Sequence, residues 1–125
     1  MVVLAKIRAG WLQGLRAMAE YLLIESRDPF ETRDVDYFYR LAADLARTRN
    51  TVTLFLVQNG VLPARAAANF SSLDSVVRAG VEVLADEFSL RERGIKSDAL
   101  REGVRSAPLD VLVDQLADGR KTMWH

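Results

Sequence analysis

The run Thr51-Val52-Thr53-Leu54-Phe55-Leu56-Val57 is β-branched, aromatic and apolar almost without alternation. A strand with one face in water alternates apolar and polar side chains, so this run has both faces buried, as in a parallel sheet covered on two sides. It excludes an all-helical bundle and an antiparallel meander open to solvent. Gln58-Asn59-Gly60 ends the run. Tyr21-Leu22-Leu23-Ile24 is a shorter buried strand, stopped by Ser26-Arg27-Asp28-Pro29. Between the two, Val35, Phe38, Ala42 and Leu45 share one helical face, with Thr32 or Asp34 available as N-cap and Asn50 past the last turn. That spacing predicts a helix of about four turns.

The alternation continues without a true repeat. Ser71 or Ser72 can cap a helix bearing Leu73, Val76 and Val77, Gly80 closes it, and Val81 to Leu84 makes a third strand. Asp86 to Arg93 reads as a short helix ended by Gly94, and Ser97 caps a second short piece before Gly103. Pro63 to Ala68 reads as a small helical segment. Ser106-Ala107-Pro108 opens a last helix with Leu109, Leu112 and Leu116, Gly119 follows it, and Lys121 to His125 is an edge strand. Strands alternating with helices imply right-handed crossovers and a three-layer α/β/α fold.

With 125 residues, half of them apolar, the chain can fill the core of one domain. Leu4, Ile7, Trp11, Leu15 and Met18 recur at helical spacing, so residues 1–19 are expected to form a helical extension to a domain at 20–125. Lys6 and Arg8 interrupt the apolar letters of that segment, which lacks a secretory apolar region, and a cytoplasmic location is the expectation. No stretch approaches the roughly 18 apolar residues needed to span a membrane. Seventeen basic residues balance seventeen acidic ones, which removes the field that non-specific nucleic-acid binding needs. There is no cysteine, and the single histidine, His125, is expected to fray; disulfides, thiolate catalysis and thiolate metal sites are excluded.

Ligands of open parallel sheets gather beyond the carboxyl ends of the strands. The loops there hold Glu25, Arg27, Asp28, Glu31 and Arg33, then Gln58, Asn59 and Arg65, then Asp86, Glu87, Arg91 and Glu92. No phosphate-binding glycine motif is among them. Asp86 follows the third strand and begins a helix, so its carboxylate can accept first-turn N–H groups and meet the positive end of the helix dipole. Glu87 and Arg91 have the spacing of an i,i+4 surface pair. Tyr37, Phe38 and Tyr39 stand together on the first long helix, so at least one must point away from the sheet.

From Glu20 to His125 the chain resembles the DsrE-like family of small sulfur-relay proteins, of the DsrE/DsrF/DsrH and TusB/TusC/TusD type. The segments that carry the likeness are Tyr21-Leu22-Leu23-Ile24 with Asp28-Pro29-Phe30, Thr53 to Val61, Gly80-Val81-Glu82-Val83-Leu84 leading to Arg93-Gly94-Ile95, and the closing helix Leu112 to Asp118. The resemblance implies a five-stranded, mainly parallel sheet and assembly into homo- or hetero-oligomers. In catalytic members a cysteine after the third strand, eight residues before the glycine of the Arg-Gly-Ile-like motif, carries sulfur as a persulfide; here that position is Asp86. A helix N-terminus suits thiolate and carboxylate alike, but only the thiolate carries sulfane sulfur.

Two readings follow. In the first, the chain is a non-catalytic or regulatory subunit associated with sulfur relay or sulfur oxidation, bound to a cysteine-bearing DsrE-like subunit or a small sulfur-carrier protein. In the second, it is a homo-oligomer that binds a small ligand through Asp28, Asn59, Asp86, Arg91 and Arg93, with no part in sulfur transfer. Neither calls for a catalytic residue of its own, a cofactor, a metal, nucleic acid or a membrane. A phosphoacceptor like a receiver domain fits poorly, because Glu25 and Asp28 are separated where receivers place two adjacent acids.

Overall fold

The computed structural model describes residues 19–125, so the helix expected at 1–19 lies, but for Ala19, outside the described residues. Strands β1 (Glu20–Glu25), β2 (Thr51–Leu56), β3 (Glu82–Asp86), β4 (Val104–Ala107) and β5 (Lys121–Trp124) form one sheet in the order β4-β3-β2-β1-β5. Every neighbouring pair is parallel. Helices α1 (Asp34–Arg47), α2 (Ser72–Arg78), α3 (Glu87–Glu92) and α4 (Leu109–Ala117) connect them, with 3-10 turns at Gln58–Ala64 and Ser97–Ala99. The α/β class and the five-stranded parallel sheet are as expected.

The strand order explains the layers. From β1 to β4 the chain steps one strand at a time in one direction; from β4 to β5 it returns across the whole sheet. Right-handed crossovers in opposite directions must run over opposite faces. On one face Leu23, Val52, Leu54, Leu56 and Val83 pack under Val35, Tyr39 and Ala42 of α1 and Leu73 and Val76 of α2. On the other, Leu22, Ile24, Phe55 and Leu84 meet α4 through Leu112. β2 sits in the middle, and Val52 to Val57 are all buried, which is why its sequence does not alternate. Thr53, the one polar residue of that buried run, donates to Glu82 Oε1 at 3.0 Å and accepts from Arg120 at 3.1 Å.

Three expectations are corrected. Ser106-Ala107 does not open the last helix but belongs to β4, whose four residues pair with β3 from Val83–Val104 to Asp86–Ala107; the helix starts behind Pro108. Of the helical segment expected at Pro63 to Ala68 only Pro63 and Ala64 are helical, as the end of a 3-10 turn over Gln58–Ala64, and Arg65 is extended. His125 is not frayed: its N–H donates to the Ile24 carbonyl and its carbonyl accepts from the Ser26 N–H, both at 2.9 Å, so the β1–β5 ladder runs on through it. No helix among the described residues is long and apolar enough to cross a membrane.

Candidate functional site

Asp86 lies where the strand-to-helix junction was expected to put it. It is the last residue of β3 and the N-cap of α3, with extended backbone (φ −61°, ψ 122°). Its Oδ2 accepts from the Ser89 N–H at 3.0 Å and from the Ser89 hydroxyl at 2.7 Å. The same hydroxyl accepts from the Gln58 N–H at 2.7 Å, so a chain of donors from the turn after β2 ends on the carboxylate. Gln58 reaches this position in the left-handed region, at φ 52°. The turn is pressed against β1, since a Cβ at Gly60 would overlap the Glu25 carbonyl oxygen. Glycine is thus required at 60 by contact with a neighbouring backbone, not by its own dihedral.

Asp86 looks into a groove of about 700 Å³ at the carboxyl ends of the strands, lined also by Ile24, Val57, Leu109, Leu112, Leu116 and Trp124. Ser26, Asn59, Phe88, Glu92 and Arg93 edge it. The side chain of Arg93 is fixed: Nε and one terminal nitrogen donate to Asn59 Oδ1 at 3.1 and 3.0 Å, and the other donates to the Ser89 carbonyl at 3.1 Å. Trp124 is 70% exposed, and its indole N–H donates to Ser26 Oγ at 3.3 Å.

Of the five residues proposed as ligand contacts, the fold brings Asn59, Asp86 and Arg93 together in this groove. Asp28 stands apart, closing a turn in the β1–α1 loop by accepting from the Phe30 N–H at 2.9 Å. Arg91 faces a different cleft, of about 510 Å³, shared with Glu87, Lys96 and Ser106. Its guanidinium lies 5.9 Å from the Phe88 ring centre, and the Glu87–Arg91 ion pair does not form. Of the three aromatics on α1, Tyr39 is buried, Phe38 packs on the His125 ring at 5.4 Å, and Tyr37 points outward beneath Arg40.

A second arrangement was not foreseen. Glu25, fully buried at the end of β1, accepts from His125 Nδ1 at 2.8 Å on Oε1 and 3.0 Å on Oε2, and from the Arg27 N–H at 2.8 Å. Burial pushes the Glu25 carboxyl above the ordinary glutamate value, partly opposed by these hydrogen bonds and by the charge of His125. Burial, reinforced by the Glu25 charge, also raises the Tyr39 phenol, which stays neutral. Glu25 alternates with Ile24 along β1 and so faces the α1 side, away from the groove. One hundred residues separate Glu25 from His125, and only the pairing of β5 with β1 unites them. Among the described residues no cluster of three or more carboxylates and histidines is placed to hold a metal.

No family model and no curated protein matches the chain. Solved structures do. The ychN protein from E. coli superposes with a TM-score of 0.78 at 18% identity, over 86% of this chain and 99% of that one. MTH1491 from Methanobacterium thermoautotrophicum, a protein of unknown function, gives 0.69 at 22% identity over 86% and 98%. BT1422 from Bacteroides thetaiotaomicron, also of unknown function, gives 0.69 at 15% identity over 85% and 94%. At these identities the likeness is one of fold: the chain shares the small α/β fold of these proteins.

Proposed function

We propose that the chain is a non-catalytic subunit associated with sulfur relay, one that joins a cysteine-bearing DsrE-like subunit or a small sulfur carrier without holding sulfur itself. The observation that carries this reading is Asp86. The position that matches the family's sulfur-carrying cysteine is buried at a strand-to-helix junction, and a carboxylate bonded to Ser89 occupies it. A carboxylate in that place keeps the helix cap and gives up the nucleophile. No cysteine elsewhere in the 125 residues replaces it. The exposed large apolar side chains Phe88, Leu109, Val113, Leu116 and Trp124 support a subunit role, because contiguous surfaces of that kind mark protein contacts.

The test is to isolate the tagged chain from its native cell and to determine composition by mass spectrometry and mass by light scattering. A cysteine-bearing protein of the same fold, or a small sulfur carrier, in fixed ratio is the expected result. Recovery of the chain with itself alone overturns the proposal. That outcome moves the weight to the second reading, a homo-oligomeric small-ligand binder outside sulfur transfer, which the groove of about 700 Å³ beside Asp86 favours.

A further inference from the structure

Only one oxygen of Asp86 is engaged. Both bonds from Ser89 fall on Oδ2, and Oδ1 has no hydrogen-bond partner among the described residues. The side chain is nonetheless 6% exposed and lines the groove. Oδ1 is not among the buried unpartnered atoms, so it meets the water of the groove, and a ligand that brings a donor can take that water's place.

The rest of the lining says what kind of donor. Glu92 adds a second carboxylate to the same groove, and neither it nor Asp86 is in an ion pair among the described residues. The one cation of the lining, Arg93, is held by Asn59 and the Ser89 carbonyl. The charges that line the groove therefore sum to minus one, which disfavours an anion. The walls are apolar, and Trp124 offers an exposed indole, the best of the aromatic faces for a cation.

We propose that the groove binds a small organic ammonium ion, its N–H group on Asp86 Oδ1 and its apolar body between Trp124 and the Leu109–Leu116 side of α4. The site is assembled by this chain alone. It goes beyond the subunit reading and does not depend on it: partner capture and amine binding are separate measurements, and either can fail without the other.

The probe is 2-phenylethylammonium chloride, titrated calorimetrically into the full chain beside two isosteres, 2-phenylethanol and phenylacetate. The ammonium should bind at least about tenfold more tightly than either, the worth of one charge-assisted hydrogen bond. Asp86→Asn retains an oxygen for the Ser89 N–H while removing the charge; it should abolish the preference with the thermal midpoint held. Trp124→Ala should weaken the ammonium about fivefold, and Glu92→Gln, far from the cap, should weaken it by a smaller factor. No saturable binding of the ammonium, equal affinity for the three compounds, or a preference that survives Asp86→Asn overturns the proposal.

Discussion

Glu25 and Asp86 are carboxylates at the carboxyl ends of β1 and β3, and each is buried with its own partner. Asp86 serves the helix that it begins. Asp86→Ala should lose about 1 kcal/mol of stability, the usual worth of an N-cap, while Asp86→Asn should lose only a few tenths; urea unfolding of the two variants makes the comparison. Equal losses would mean that the charge, not the cap, holds the junction. Glu25 answers to pH. Its folded pKa is raised above the ordinary value of 4.5, so the folded protein binds the proton more strongly than the unfolded chain. The contribution is present below 4.5 and is lost as pH rises through the raised folded value. The urea midpoint of the wild type, taken relative to Glu25→Gln, should therefore fall as pH rises from 4.5 toward neutrality. A constant or rising difference would show that His125 and the Arg27 N–H more than offset the burial.

Among the elements, the connection from β2 to α2 is long and largely irregular, and one side chain ties it down. Arg101, buried just ahead of β4, donates to the carbonyls of Pro63, Arg65 and Ala68 and to Asp74 at 2.9 Å. Its own N–H bonds the Ala64 carbonyl, and Arg65 bridges Leu100. Arg101→Met should cost about 3 kcal/mol, since three carbonyls lose their donor inside the protein. Asp74→Ala removes the half-exposed partner alone and should cost less than about 1 kcal/mol. Matching losses in urea unfolding would place the energy in the ion pair instead of the carbonyls. This clamp also marks the limit of what a sequence makes legible. β2 is plain in its own letters because burial on both faces needs an unbroken apolar run, and Asp86 because a cap is a local signal. β4 is not: Val104-Arg105-Ser106-Ala107 is four residues long, buries only its two ends without alternating, and owes its extension to the ladder with β3. Asn59 and Arg93 were both singled out, but their contact spans 34 residues and no local pattern announces it. The order at His125 is invisible in its own letters because its partner lies on the first strand.

At the scale of the whole molecule the two faces of the sheet are unequally covered by the described residues. α1 and α2 share one face, whereas α4, nine residues long, is the principal cover of the other. Leu112 faces the sheet, and its turn-neighbours Leu109, Val113 and Leu116 remain 50%, 53% and 45% exposed. At spacings of four and three they form one stripe along the helix. If the chain is a subunit, this stripe is where a partner removes apolar surface from water, and charge there should disrupt assembly without harming the fold. Val113→Glu with Leu116→Glu should leave the thermal midpoint of the isolated chain within a few degrees, since exposed substitutions change stability by about 0.5 kcal/mol or less. The same pair should release the partner, read as a fall in light-scattering mass to that of a single 14.0 kDa chain. A complex that keeps its mass would move the contact to another surface. Loss of the folded state would instead make the stripe part of the core of the monomer.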